Sequence, residues 1–194
     1  MRKKIVLASG SPRRKELLRQ IGVSFRIDPS HMPEHAPAHL TPRERAETLA
    51  AAKALDVAKR HRHAIVIGSD TIVEVDGHIL GKPVDTGDAR RILGILSGKR
   101  HTVVTAVSVC DSETGRTLTR SIETAVYMKK ISEEEIAAYV ASGEPLDKAG
   151  AYGIQARGAV FVDRIEGDHF AVVGLPVGPL ADMLKEFGIS IWQR

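Results

Sequence analysis

Short apolar runs alternate with amphipathic segments from the start of the chain. The apolar run at residues 5–8 is followed by Ser-Gly-Ser-Pro, and apolar side chains then recur at helical spacing through residues 17–21. This order predicts a strand, a turn and a helix, with Ser11 at the N-cap. Pro12 suits the first helical position because its missing N–H would have no helical partner there.

The same alternation continues to the end of the chain. Residues 41–44, Thr-Pro-Arg-Glu, have the sequence of a capping box, which predicts a second helix running toward residue 61. The proline-rich stretch at residues 28–40 has no apolar period and predicts a long loop. Further strands are predicted at residues 64–67, 71–75, 79–80, 101–109, 118–128, 159–165 and 170–173, and further helices at residues 86–96, 132–140 and 176–187. No repeat or linker divides this pattern, so it predicts one mixed α/β domain with hairpins over residues 1–194.

Composition narrows the class of protein. The chain has 194 residues, 43% of them hydrophobic and 27% charged, which is typical of a globular protein and excludes disorder, collagen and coiled coil as its main structure. Cys110 is the only cysteine, so neither an intramolecular disulfide nor a thiolate-rich zinc site can form. The apolar run at residues 5–8 is too short for a signal peptide, and no later run approaches the ~20 residues of a membrane span. We therefore expect a soluble, cytoplasmic protein with no membrane partner.

The start of the first helix carries candidate chemistry. Arg13 and Arg14 stand in its first turn, where the helix dipole disfavours cations. The Ser-Gly-Ser turn that begins at Ser9 offers hydroxyls and free backbone N–H groups, and the two guanidinium groups complete a set suited to phosphate. The alternative is a solvated arginine pair without a ligand. The turn does not have the spacing of a Walker phosphate loop.

Carboxylates and lysines elsewhere indicate a second candidate site. Asp70 follows the predicted strand at residues 64–67, so we expect its carboxylate to emerge at a strand end, while Glu34 lies in the long loop. Two carboxylates, nucleotide phosphates and water would together suit Mg²⁺. Lys53 and Lys82 are candidate phosphate ligands. The alternative is a surface aspartate and a loop glutamate that never meet, together with two solvated lysines.

Histidine and amide groups provide two further candidates. Three histidines recur every fourth residue between residues 31 and 39, as zinc ligands on a helix would, but two intervening prolines exclude that helix. A zinc site is therefore not favoured. In the turn-rich segment 142–155, Gln155 offers one acceptor and two donors, which fit the paired carbonyl and N–H edge of uracil or thymine. The alternative is an ordinary surface amide.

Seven stretches of the chain together resemble one known family. They are LASGSPRRKELL at residues 7–18, LAAAKA at 49–54, GSDTIV at 68–73, GKP at 81–83, LSGKRHTVVTAV at 96–107, SGEPLDKAGAYGIQ at 142–155 and AVVGLP at 171–176. In this order they resemble the Maf family of nucleoside triphosphate pyrophosphatases over nearly the whole chain. The resemblance implies an elongated α/β fold, similar to the inosine triphosphate pyrophosphatases, in which helices flank a mixed sheet and a central cleft separates two lobes. It also implies a homodimer.

The resemblance assigns roles to particular residues. Asp70 matches the catalytic aspartate of the family and, with Glu34, its metal site for Mg²⁺ or Mn²⁺. Lys53 and Lys82 match the lysines at the triphosphate. We therefore hypothesise hydrolysis between the α and β phosphates, in which Asp70 activates a water molecule directly or through the metal. The products would be a nucleoside monophosphate and pyrophosphate.

Three positions favour one branch of that family. The chain resembles the branch that hydrolyses dTTP and UTP, because a sister branch that prefers 7-methyl-GTP typically has Trp, Gln and Glu where this chain has Arg13, Thr71 and Gln155. A methylated guanine is cationic and suits an aromatic face and a carboxylate, whereas a neutral pyrimidine suits an amide. Ala156 stands where the family pattern has Gly, which predicts a slightly narrower base pocket. The 7-methyl-GTP reaction is the alternative.

Two other kinds of function remain open. The net charge of +4 and basic residues such as Arg60 and Arg62 are compatible with nucleic-acid binding, although aromatic residues make up only 4% of the chain and provide few stacking surfaces. A regulatory role in cell division has been attached to the Maf name. We expect a nucleoside triphosphate, and not nucleic acid, to be the ligand.

Overall fold

The computed structural model describes residues 3–33 and 35–192, and this part of the chain contains seven strands and six α-helices. The strands are β1 (Lys4–Leu7), β2 (Arg26–Ile27), β3 (Ala64–Val75), β4 (His78–Leu80), β5 (Arg100–Asp111), β6 (Thr117–Met128) and β7 (Val162–Glu166). The helices are α1 (Pro12–Gln20), α2 (Pro42–Ala58), α3 (Thr86–Leu96), α4 (Glu133–Ala141), α5 (His169–Val173) and α6 (Val177–Glu186). Short 3₁₀ helices lie at Glu144–Asp147, Ala149–Ala151 and Arg157–Phe161.

The strands form one mixed sheet. Their order is β2-β1-β3-β5-β6-β7, and β4 also pairs with β3. Strand β1 runs parallel to β2 and β3, whereas the β3–β4 and β6–β7 pairs are antiparallel. This sheet with its helices confirms the predicted mixed α/β fold class. None of the described helices has the length and hydropathy that crossing a membrane requires.

The chain divides into two compact units, each with its own core. The first comprises Met1–Asp70, Thr105–Ile122 and Gly174–Arg194, and the second comprises Thr71–Val104 and Glu123–Val173. In the first unit, Ala54 of α2, Val66 of β3 and the buried Cys110 belong to one apolar cluster. In the second unit, Leu93 of α3 and Val140 of α4 belong to a larger apolar cluster. Burial of these apolar side chains supplies the main stabilisation of each unit.

Local signals set the element boundaries that were predicted correctly. Thr41 Oγ1 accepts a hydrogen bond from the Glu44 N–H at 3.3 Å, and Glu44 Oε2 accepts one from the Thr41 N–H at 2.9 Å, so the capping box of α2 is confirmed. Ser132 and Glu135 form the same reciprocal pair at the start of α4. The Asp-Gly turn at residues 76–77 has φ values of 51° and 81°, which suit a two-residue hairpin between β3 and β4.

The predicted break between residues 64–67 and 71–75 is wrong. Strand β3 runs without interruption through Gly68, Ser69 and Asp70. These small and polar residues have the composition of a turn, but each meets a specific partner in the folded chain. Asp70 is consequently the seventh residue of a twelve-residue strand and does not stand at its end.

The predicted strands at residues 159–165 and 170–173 are also partly wrong. Residues 157–161 form a 3₁₀ helix, and only residues 162–166 form a strand. The second segment is helix α5, because Asp168 Oδ1 accepts hydrogen bonds from the N–H groups of Phe170 at 2.7 Å and Ala171 at 3.2 Å. A carboxylate that satisfies these amides favours a helix start over a strand. The two-residue strand β2 was not predicted.

A histidine is buried in the second unit. His101 is 1% exposed, and its Nε2 lies 2.8 Å from the Tyr152 hydroxyl. No described residue pairs with its Nδ1. Burial, with a smaller contribution from the charge of Arg100, lowers the pKa of His101 from 6.5 to about 4. The imidazole is therefore neutral in the folded protein at neutral pH.

We expect the free energy of unfolding to fall as the pH falls from 6.5 toward 4. In that window the unfolded chain binds a proton at His101 and the folded chain does not, so this group costs about 3 kcal/mol by pH 4. Urea unfolding at pH 7 and pH 5 measures the effect. His101→Gln should show a weaker pH dependence than wild type, whereas the exposed His78→Gln should retain the wild-type dependence. An equal pH dependence of stability in all three proteins would contradict the lowered pKa of His101.

Candidate functional site

A buried ion pair joins two of the predicted site residues in the first unit. Lys53 Nζ of α2 lies 2.7 Å from Asp70 Oδ1 of β3, and the two side chains are 10% and 9% exposed. Burying both charges carries a large desolvation cost, so such pairs are weak evidence of stabilisation. Lysine and aspartate are rarely buried unless paired. Their retention together inside the unit makes this pair the centre of the candidate site.

A close approach of α2 to β3 places the two partners. A Cβ atom added to Gly68 would lie 2.3 Å from the Ala50 carbonyl oxygen and 2.7 Å from the Ala54 nitrogen. Both of those atoms belong to the helix backbone, so neither can move without distorting the helix. Lys53 immediately precedes Ala54, and Asp70 lies two residues beyond Gly68. The contact therefore brings the lysine and the carboxylate to the same place.

The register of the sheet explains why a carboxylate appears at this point of β3. The last pair between β1 and β3 is Leu7 with Ile67. Strand β3 continues to Asp70, whereas the chain leaves β1 and turns through Ser9 toward α1. Asp70 thus stands beyond the end of its parallel neighbour. Polar groups at the carboxyl end of a parallel strand are common in α/β binding sites.

The beginning of α1 is bonded to the same region of β3. Arg14 Nη1 donates to Ser9 Oγ at 3.1 Å, and Arg14 Nε donates to the Gly174 carbonyl at 2.9 Å. The Ser69 hydroxyl donates to that same carbonyl at 3.0 Å. Arg13 lies partly buried in the same turn, which contains no acidic residue. The structure therefore brings Ser9 and Arg14 together and adds two residues that the sequence did not single out, Ser69 and Gly174.

The loop before α2 contains the other predicted carboxylate. Glu34 lies outside the described residues. On one side of it, the Ser30 hydroxyl donates to Asp56 Oδ2 at 2.8 Å, and on the other side Arg45 Nη2 donates to the Ala36 carbonyl at 3.0 Å. Asp56 and Arg45 both belong to α2. Both described flanks of the loop are thus attached to the helix that carries the buried lysine.

Three predicted residues lie in the second unit. Thr71 directly follows Asp70 on β3 and is partly buried, whereas Lys82 and Gln155 are exposed. The Gly150 N–H donates to the Gly81 carbonyl at 3.1 Å. This bond joins the segment that leads to Gln155 to the segment that begins with Lys82. The roles of all three residues at a nucleotide stay predictions.

The donor chemistry of the site suits one kind of metal. The described residues 3–33 and 35–192 contain no group of three or more His, Cys, Asp and Glu side chains that could hold a metal ion. Mg²⁺ in nucleotide enzymes needs only one or two protein carboxylates, because phosphate oxygens and water complete its shell. Asp70 can supply one such oxygen. One carboxylate fits this chemistry, and the binding of Mg²⁺ or Mn²⁺ stays a prediction.

Ion pairs neutralise part of the basic surface considered for nucleic acid. Lys3 Nζ lies 2.7 Å from Asp111 Oδ2 and 2.9 Å from Glu113 Oε2. Arg60 Nη2 lies 3.3 Å from Asp28 Oδ1 and donates to a loop carbonyl. Cations with such partners contribute less to an electrostatic footprint for a polyanion. The arrangement does not favour nucleic-acid binding.

Comparison with known proteins gives one consistent result. The family model described as "Maf-like protein" matches residues 4–187. A dTTP/UTP pyrophosphatase of Moorella thermoacetica is 49% identical over 191 residues, which cover 98% of each chain. A dTTP/UTP pyrophosphatase of Alkaliphilus metalliredigens is 51% identical over 190 residues, covering 97% of this chain and 98% of that protein. One of Bacillus cytotoxicus is 48% identical over 185 residues, covering 95% and 96%.

We expect Gly68→Ala to lower the free energy of unfolding by about 3 kcal/mol or more, because the added methyl group would overlap the backbone of α2. Gly94→Ala is the matched control, since Gly94 is an exposed position of helix α3 and nothing lies within 4 Å of its added methyl group. That substitution should stabilise by up to about 1 kcal/mol. Urea unfolding of both variants tests this. Equal stability of the two variants would contradict the close approach.

We expect Asp70→Asn to lower the free energy of unfolding by about 3 kcal/mol, because it removes the carboxylate charge that faces the buried Lys53 ammonium group. Asp76→Asn removes the carboxylate of an exposed pair with Lys99 and should cost at most about 1 kcal/mol. Adding Lys53→Met to Asp70→Asn should recover much of the loss. Chemical denaturation of the single and double variants measures these differences in the free energy of unfolding. A loss equal to that of Asp76→Asn would contradict a buried pair.

Proposed function

The chain belongs to the family of Maf-like proteins, and from this premise we propose that it is a nucleoside triphosphate pyrophosphatase that hydrolyses dTTP and UTP. Relatives that carry the name dTTP/UTP pyrophosphatase match nearly its full length at about half identity. The observation that carries the assignment of residues is the buried Lys53–Asp70 pair. The predicted homodimer and cytoplasmic location stay predictions.

Asp70 is the proposed proton acceptor of the reaction. A water molecule attacks the α phosphorus in line with the bridging oxygen to the β phosphorus, and Asp70 takes up one of its protons. The new P–O bond forms as the bridging P–O bond breaks. The products are a nucleoside monophosphate and pyrophosphate, and the proton on Asp70 is then lost to solvent.

Cations are proposed to stabilise the negative charge that develops on the departing pyrophosphate. Lys53 is already held beside Asp70, and Arg14 is held by Ser9 and the Gly174 carbonyl, so neither has to be oriented during the reaction. Arg13 and Lys82 would complete the set. Asp70 and Glu34 would hold Mg²⁺ or Mn²⁺, which when bound polarises the phosphate oxygens.

Preference for pyrimidines rests on Arg13, Thr71 and Gln155. The Gln155 amide is exposed in the structure and offers both a donor and an acceptor to a uracil or thymine edge. No carboxylate replaces it, which disfavours a cationic methylated guanine. Modified pyrimidine triphosphates share the same edge and belong to the same proposed substrate class.

We expect pyrophosphate release to be fastest with dTTP and UTP in a panel that also contains CTP, GTP and 7-methyl-GTP. Release should require Mg²⁺ or Mn²⁺ and stop in EDTA. Asp70→Asn should lower kcat by at least about 100-fold with little change in nucleotide affinity, because it removes the proton acceptor. Asp76→Asn serves as the control and should retain wild-type kcat.

Three results would contradict the proposal. Near-full turnover by Asp70→Asn would remove that residue from its role. A preference for 7-methyl-GTP would place the chain with the sister branch. Tight, steeply salt-dependent binding of DNA or RNA without any pyrophosphate release would favour a nucleic-acid-binding protein.

A further inference from the structure

The segment that carries Gln155 is bonded to the rest of the second unit at its beginning. Residues 153–158 contain no strand and only the start of a 3₁₀ helix, so few backbone bonds of their own fix their course. The Gly153 N–H, which is buried, donates to the Tyr139 hydroxyl oxygen at 3.2 Å. Tyr139 belongs to α4, which begins at a capping box and packs in the core of the unit. A rigid helix thus holds the first residue of the segment.

The end of the segment is bonded to the same pair of side chains. Glu144 Oε2 accepts from the Arg157 N–H at 3.2 Å, and Glu144 Oε1 accepts from the Gly158 N–H at 3.3 Å. The Tyr139 hydroxyl donates to Glu144 Oε1 at 2.9 Å. One tyrosine and one carboxylate therefore satisfy backbone amides at both ends of the segment. We call this pair the Tyr139–Glu144 clamp.

The space inside the clamp admits only glycine at position 158, where backbone atoms lie close, and at position 153 it admits a side chain only if Lys148 moves. A Cβ atom at Gly158 would lie 2.6 Å from the Tyr139 hydroxyl oxygen and 2.7 Å from the Gly153 carbonyl oxygen. A Cβ atom at Gly153 would lie 2.7 Å from Lys148 Cε. Between them, Ala156 has a φ of −127°, which alanine adopts without strain. The two ends of the segment are thus drawn together, and the exposed Gln155 stands between them.

Tyr139 is itself held in place. It is 4% exposed, and its ring meets that of Phe161 edge to face at a centroid distance of 5.1 Å. Burial, followed by the hydrogen bond to Glu144, raises the pKa of the Tyr139 hydroxyl, so it remains protonated and continues to donate at neutral pH. The hydroxyl can then donate to the carboxylate while it accepts from the Gly153 amide.

We propose that Tyr139 and Glu144 are positioning residues for base selection, which fix the segment 153–158 so that the Gln155 amide meets the nucleobase in one orientation. The inference rests on the proposed function, because it assigns the fixed amide to the recognition of a pyrimidine. An amide discriminates between bases only where its donor and acceptor ends are held in register with the base edge. Neither clamp residue needs to touch the substrate.

The clamp makes a different contribution from the residues at the phosphates. Its loss should leave the Lys53–Asp70 pair intact, since both of those residues belong to the first unit and the clamp belongs to the second. Affinity for the preferred bases should therefore fall, while kcat falls little. The discrimination between pyrimidine and purine nucleotides should weaken.

Tyr139→Phe and Glu144→Gln test the clamp, with Tyr127→Phe as the matched control. The Tyr127 hydroxyl also donates to a carboxylate, Glu166 Oε2 at 2.9 Å, but it lies on β6 and bonds to no amide of the segment. Hydrogen exchange at the Gly153 and Gly158 amides measures the clamp directly. Dissociation constants for dTTP, UTP and GTP in EDTA measure base selection without turnover, and kcat and KM with metal complete the set.

Tyr139→Phe should speed exchange at the Gly153 amide and raise the dissociation constant and KM for dTTP by about tenfold, the value of one hydrogen bond. The dissociation constant for GTP should change less. Glu144→Gln keeps one acceptor oxygen, so its affinity for dTTP should fall less than that of Glu144→Ala. Tyr127→Phe should match wild type in every measurement.

Two outcomes overturn the inference. Unchanged exchange in Tyr139→Phe and Glu144→Ala would show that the clamp does not hold the segment. Faster exchange with an unchanged ratio of dTTP to GTP affinity would show that the clamp does not govern base selection. If the proposed function is wrong, the result is different, because wild type then releases no pyrophosphate with metal. In that case the nucleotide affinities in EDTA still test whether the clamp governs base selection.

Discussion

The distance between helix α2 and strand β3 at Gly68 determines where the charged groups of the first unit stand. A backbone carbonyl of the helix occupies the space that any other side chain at this position would need. The helix can therefore lie low enough on the sheet for a lysine one turn along it to reach a carboxylate in the middle of the strand. The ion pair is costly to bury, and tight packing of the two elements is what keeps both charges out of water.

A second set of bonds joins the start of α1 to that strand. The carbonyl of Gly174 accepts from an arginine of α1 and from the hydroxyl of Ser69, the immediate neighbour of Asp70. Gly174 has a φ of 123°, a conformation that side chains disfavour, so glycine suits this node. The guanidinium group is thus held in one orientation by groups of the protein itself. In the proposed reaction, preorganised charge of this kind would stabilise the departing pyrophosphate, which is how proteins usually contribute most to phosphoryl transfer.

Sequence predicted those parts of the structure whose causes are local. The capping boxes at Thr41 and Ser132 each lie within four residues, and both helices begin where predicted. The course of β3 through Ser69 and the reach of Lys53 to Asp70 depend on contacts with distant segments, which periodicity does not contain. The start of helix α5 also has a local cause, because Asp168 precedes the first amides of that helix and accepts a hydrogen bond there. Residue chemistry and family resemblance together identified the candidate residues, but neither revealed their bonds.

The burial of Cys110 in the apolar cluster under α2 makes this protein suited to site-directed labelling. With 1% of its surface exposed, the native thiol is shielded from alkylating reagents while the first unit is closed. A cysteine introduced on the surface can therefore carry a fluorophore or spin label without replacement of the native residue. Conversely, slow modification of Cys110 in the unaltered chain reports how often the helix lifts from the sheet, in a protein that needs no engineering for that measurement.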